Sequence, residues 1–301
     1  MHPGRTPSAA NSVAPVPLAT LAMRSSGGGR ARRGPMIVLL VICCSSLVGS
    51  ASAEVPARAI QDNSFFVEEA YNQEPGVVQH IFSVTTLFSS GDTDVSLSQE
   101  WPLFGQRHQF SYSVVYGRTT EEEAFGDTRL NYRLQALTEK DCVPALAPRF
   151  TLVIPTGDST RGFGHGRLGY EVNLPLSKVV SDRLTLHWNA GGSVFPAING
   201  RDLWNGNLGG SAIYAVTENF DLMLESVADW EQDIDSQGKM SQSVKALLSP
   251  GVRWAFNFPD ALQIVVGIGV PFGLTPAASD WGIFFYLSFE HPFARCAPSR
   301  L

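Results

Sequence analysis

From Gly126 to Leu137 the chain reads GDTRLNYRLQAL, which puts Thr128, Leu130, Tyr132, Leu134 and Ala136 on one face of an extended strand and Arg129, Asn131, Arg133 and Gln135 on the other. Successive side chains of a strand point to opposite sides of a sheet, so one face suits an apolar medium and the other water. The same division recurs along the chain. Val95, Leu97 and Trp101 oppose Asp94, Ser96, Ser98 and Glu100; Phe110, Tyr112, Val114 and Tyr116 oppose Ser111 and Ser113. Further on, Phe150, Leu152 and Ile154 oppose Arg149 and Thr151, and Leu168, Tyr170, Val172 and Leu174 oppose Arg167, Glu171 and Asn173. Leu184, Leu186, Trp188 and Ala190 oppose Arg183, Thr185, His187 and Asn189, while Phe220, Leu222 and Leu224 oppose Asp221 and Glu225. Runs near 207–217, 247–257 and 261–271 are blander or glycine-rich, and Val77 to Phe88, the first strand, has apolar residues in both phases. About twelve strands result. A sheet that is apolar outside and charged inside over so many strands is what an outer-membrane barrel needs around a wet lumen.

The connections sort by length. Long segments rich in Gly, Asp, Ser, Thr and Pro are expected near 117–126, 155–165, 195–206, 230–242 and 272–280, alternating with short turns near 102–108, 137–145, 177–182, 217–219 and 257–260. Short periplasmic turns and long outer loops in alternation are the outer-membrane pattern. The expected fold is therefore all-β, an antiparallel up-and-down transmembrane barrel of about twelve strands spanning 77–293, with both mature termini in the periplasm. A soluble secreted β-sandwich gives no reason for loops to sort this way.

The first 53 residues differ from the rest. Arg24, Arg30, Arg32 and Arg33 precede the apolar run Met36 to Ile42, and Ala51-Ser52-Ala53 forms an A-x-A site, so 1–53 reads as a cleaved secretory signal with an over-long start. The apolar run falls short of the roughly 20 residues a membrane-spanning helix requires. Those 53 residues hold five arginines, no lysine and no acid, which leaves 17 basic against 28 acidic residues in the mature part. A net charge of −11 argues against nucleic acid as a partner. Residues 54–76, with Phe65, Phe66, Glu68, Glu69 and Tyr71, form either a periplasmic leader or a plug in the lumen; 294–301 follow the barrel as a tail. Cys142 and Cys296 share an oxidising compartment, and whether they pair is open.

Three segments, SFFVEEAYNQEPGVVQH (Ser64 to His80), the strand led by Gly126-Asp127, and LVIPTGDSTRGFGHG (Leu152 to Gly166), together resemble the outer-membrane family named for the MetA pathway of phenol degradation. The resemblance implies a transporter-like or channel-like barrel that passes or binds small, aromatic or hydrophobic compounds. The last run, WGIFFYLSFEHPF, is similar to the C-terminal strand that barrel-assembly machinery reads, ending in Phe293.

The candidate site is the lumen wall. Arg129, Arg133, Arg149, Arg167 and Arg183 come from successive strands, with His187 beside them, whereas Asp221 and Glu225 come from a later one. Either a basic wall faces an acidic one and sets charge selectivity, or the charges pair and satisfy one another. The competing classes are a closed structural barrel and an outer-membrane lipid hydrolase. For the latter, His165 and His187 lack the closely spaced His-x-Ser element, and a Ser-His pair also needs an orienting third group. No catalytic residue, cofactor or metal-ligand spacing is read from the chain; the expected partners are outer-membrane lipid, the barrel-assembly machinery and small solutes.

Overall fold

The computed structural model describes residue 60 and residues 64–234, 238–258 and 262–293. The expected signal segment 1–53, the tail 294–301 and Cys296 lie outside the described residues. Twelve strands follow in chain order: β1 Val77–Leu87, β2 Thr93–Leu103, β3 His108–Arg118, β4 in two pieces (Glu123–Phe125 and Thr128–Leu134) and β5 in two (Ala145–Leu146 and Arg149–Ile154). Next come β6 (Gly169–Asn173 and Leu176–Val179), β7 Leu184–Ile198, β8 Arg201–Thr217, β9 Phe220–Ile234, β10 Met240–Asn257, β11 (Gln263–Gly269 and Phe272–Gly273) and β12 Gly282–Pro292. Each pairs antiparallel with the next. β12 returns to β1 in an unbroken register from Val77↔Pro292 to Leu87↔Gly282, so no edge is left open.

The two-residue period decides the faces. Arg129, Asn131 and Arg133 are buried in the lumen while Leu130 and Tyr132 are exposed on the outer surface, and Phe82, Leu97, Phe150, Val172, Trp188, Leu222, Trp254 and Phe285 continue that apolar exterior around the barrel. Eleven residues of β1 at about 3.3 Å each, tilted as barrel strands are, span the roughly 25 Å apolar band of an outer membrane.

Two of the expected long loops are strand instead. β7 and β8 run through 195–206 and meet at Asn199-Gly200, both with positive φ (47° and 79°), the primed two-residue turn for which Asn-Gly is the strongest local signal. β9 and β10 likewise take up most of 230–242. As a result β7 to β10, at 15 to 18 residues, stand taller than the 11-residue β1 to β3.

The Gly126-Asp127 and Pro155 to Gly166 motifs meet at this same end. Between Tyr116↔Phe125 and Ser113↔Arg129 the register of β3 with β4 slips by one residue, and Gly126-Asp127 occupies the bulge. Asp127 then accepts the backbone N–H groups of Gly157 and His165. A Cβ at Gly164 would meet the Asp127 carboxylate, and the loop tucks Phe163 inward against Ala124.

Candidate functional site: the occupied lumen

The segment before β1 lies inside the barrel. Phe65, Phe66, Val67, Glu68, Ala70 and Asn72 are buried, with Ile60 among the same apolar core. Among its described residues the segment forms no strand or helix of its own, so their backbone groups must find partners on the wall. The Glu225 carboxylate on β9 accepts three consecutive N–H groups, from Phe65, Phe66 and Val67, at 3.2, 3.0 and 3.2 Å. Asn189 on β7 accepts from Glu68 N–H and donates back to the Glu68 carbonyl. Ser177, Gln135 and Gln109 accept from the backbone of Ala70, Asn72 and Gln73 in turn. From β4, Arg133 donates to the carbonyls of Glu69 and Tyr71 and to the Asn72 side chain, and it lies 3.6 Å from Glu100.

The head of the segment is held differently. Phe65 packs on Phe284 and Tyr286, with ring centroids 5.1 and 5.4 Å away, and Phe66 packs on Phe284 at 4.8 Å. Room for the Phe65 ring comes from inward glycines on β10 and β11. A Cβ at Gly251 would stand 2.8 Å from the ring, and one at Gly267 would overlap it. Ile81, Val227, Leu247 and Val265 complete this apolar pocket.

The predicted lumen residues fall into two groups. Arg129, Arg133, Arg149, His187, Asp221 and Glu225 are buried on the inner face. Arg167 and Arg183 are exposed and leave the wall: Arg167 lies in the loop that ends just before β6 begins at Gly169, and Arg183 sits in the turn ahead of β7. The notion of a basic wall opposite an acidic one gives way to local pairing. Arg129 meets Glu171 at 3.2 Å, Arg149 pairs with Glu68 of the inserted segment, and Asp221 pairs with Arg253 at 2.9 Å. Glu100, Glu171, Arg253 and Lys245 are buried with them, outside the expected set. The first two stand on polar faces already visible in the alternation, and the last two alternate with Val244, Ala246, Val252 and Trp254 in a stretch too poor in charge to stand out.

His187 is buried between Ser177 Oγ, 2.7 Å from Nδ1, and Glu69, 3.6 Å from Nε2. This has the outline of a nucleophile, base and orienting acid. Yet Ser177 Oγ is fully buried and occupied by the Ala70 N–H, and the acid belongs to the inserted segment itself, so no substrate carbonyl can reach the hydroxyl while the three are assembled. The constellation anchors the segment. His165, the other candidate, stacks on Phe195 and lies 3.3 Å from Asp127.

At the barrel end where β1 starts, the segment leaves past Glu139, which accepts from the Tyr71 hydroxyl, the Lys178 ammonium and the Val179 N–H. Burial alone would raise the Glu139 carboxyl, but those three donors outweigh it and hold it below the usual carboxylate range. A cavity of about 460 Å³ opens near this end, lined by Ile60, Glu69, Arg183, His187, Asp221 and Arg253 among others. At the opposite end Asp158 caps a single turn, Ser159–Arg161, and the Thr160 hydroxyl and Arg161 guanidinium pull its carboxyl down to about 2.

A closed, twelve-stranded antiparallel barrel with an apolar exterior and a polar interior is a β-barrel of the outer-membrane type. Among solved structures the chain is similar to an outer membrane channel from Pseudomonas putida F1, at 12% identity and a TM-score of 0.53 over 74% of this chain and 98% of that one. It also aligns with the NanC porin (9% identity, TM-score 0.49, 70% of this chain and 98% of that one) and the KdgM porin (12%, 0.45, 72% and 99%). No family model and no curated protein matches the chain.

Proposed function

We propose that this protein is an outer-membrane channel for small solutes whose lumen is closed by its own N-terminal segment. The observation that carries the reading is the bonding of that segment: the N–H groups of Phe65, Phe66, Val67, Glu68, Ala70, Asn72 and Gln73 go to side chains of the wall, an arrangement that holds it in place without strand pairing. In this reading the end bearing Val77 and Pro292 faces the periplasm, lipid covers the apolar exterior, and β12, ending at Phe293, is the strand that assembly machinery engages. Transport is passive, without a chemical step. Small aromatic or hydrophobic compounds are the favoured solutes, because withdrawal of Phe65 vacates a pocket floored by Gly251 and Gly267 and walled by Phe284 and Tyr286, shaped for a flat ring. Deletion of 60–72 tests this in planar bilayers. Conductance should rise severalfold, and aromatic solutes should block it more strongly than sugars of similar size. An unchanged conductance returns the protein to the closed structural barrel, and equal block by both solute classes removes the aromatic preference.

A further inference from the structure

Barrel closure brings together two histidines 211 positions apart, and no spacing along the chain hints at their meeting. His80 on β1 and His291 on β12 both point outward at the end where these strands start and finish, with their Nε2 atoms 3.2 Å apart across the closing seam. Each second ring nitrogen has a partner of its own. His80 Nδ1 lies 2.6 Å from the Gln99 amide, whose Oε1 accepts from the Tyr112 hydroxyl, and His291 Nδ1 lies 3.2 Å from the Pro292 carbonyl. Phe289 stacks on His80 with a centroid separation of 4.5 Å. Ionisable groups on a lipid-facing surface are costly and point to function by default.

We infer that His80 and His291 form a two-histidine site for a divalent transition ion, zinc-like in its preferences, that staples the first strand to the last. A tetrahedral ion with bonds of about 2.0–2.1 Å holds two ligand nitrogens about 3.3–3.4 Å apart, so the observed spacing accommodates the ion with little movement. Ligating imidazoles generally donate their other N–H to a carbonyl or amide oxygen. The Pro292 carbonyl supplies that acceptor for His291. For His80 the proton moves from Nε2 to Nδ1, Gln99 turns its amide so that Oε1 accepts it, and the Gln99 amide nitrogen then donates to Tyr112; no net proton is released. Both rings are half-buried and lie within three residues of their strand ends, at the edge of the apolar band, where water fills the remaining coordination positions. The outward neighbours Val78, Phe82, Leu97, Trp101, Leu287 and Phe289 bear no charge that would repel a cation. Among the described residues no group of three or more His, Cys, Asp and Glu side chains gathers, so the protein offers two ligands and an open site. Nothing in this inference depends on transport.

The test uses tag-free, folded protein in detergent, with folding checked by heat-modifiable gel migration. Cobalt(II) titration should give the intense visible bands of a tetrahedral site, saturating at one ion per chain, and zinc should bleach them. His80→Gln and His291→Gln should each abolish the bands, Gln99→Leu should weaken binding by about 10-fold or more, and His108→Gln should leave it unchanged. Zinc should also raise the unfolding temperature of the wild type and of neither histidine variant. Weak octahedral cobalt bands in the wild type, or tetrahedral bands that survive in both histidine variants, overturn the site.

Discussion

The two halves of the inserted segment are held by opposite physics. Residues 68–73 lie mainly against β2 to β7, where Arg133, Gln135, Asn189 and Ser177 meet backbone groups one by one, while the Glu69 side chain also reaches Arg253 of β10 and that of Gln73 reaches Gln79 of β1 and Glu290 of β12. Ile60 and Phe65 to Val67 lie against β8 to β12 and β1, where glycines and apolar side chains shape a pocket around rings. The polar grip is directional and strong only while complete, since each lost partner strands a buried polar group. The apolar grip is tolerant of chemistry but intolerant of volume. Glu225 joins them: a wall carboxylate on the apolar side that receives three N–H groups from the head.

Substitutions that attack one grip at a time should separate the two. Arg133→Ala should have the largest effect, since it leaves Glu100 and two segment carbonyls buried without their cation; loosening of the segment by about 3–5 kcal/mol should appear as a large rise in channel open probability. Glu225→Gln keeps the shape and removes the charge, so docking should weaken by about 1.5–3 kcal/mol, read as faster hydrogen exchange at the amides of Phe65, Phe66 and Val67. Gly267→Ala inserts one methyl group against Phe65 and should cost about 1–3 kcal/mol; pairing it with Phe65→Leu should recover part of the loss, a rescue that the same Leu would not give Arg133→Ala. The smallest effect is acid release at Glu139. Because its folded pKa is depressed, its contribution is complete above the unfolded value, about 4.3, and fades as pH falls through the folded one. Exchange protection at the Val179 amide should therefore hold at pH 6 and be lost only below that unfolded value, and Tyr71→Phe should move the loss to higher pH.

Alternation made the barrel legible. Where polar and apolar residues strictly alternate, as from Thr128 to Leu134, the faces follow from the pleat alone. Strand length was harder to read, because Asn199-Gly200 closes a hairpin inside a glycine-rich stretch that composition alone marks as loop. The lumen arginines of β4 and β5 stand where their phase puts them, whereas Arg167 and Arg183 keep the phase but fall beyond the strand ends. The pairing of charges was not legible. Arg149 with Glu68, or Asp221 with Arg253, depends on which strands become neighbours and on a segment folding inward, and neither has a period. His80 and His291 meet for the same reason, through closure of the ring.

The central claim is that the N-terminal segment occupies the lumen and must leave it for solute to pass. Val67 and Gly209 touch across that contact, since a Cβ at Gly209 would stand 3.1 Å from a Val67 methyl, a geometry a disulfide can bridge. In a background with Cys142 and Cys296 replaced by serine, the Val67→Cys, Gly209→Cys protein should be nearly silent in planar bilayers when oxidised and should open on adding reductant. Equal conductance in the two states, with the cross-link verified, would contradict the account.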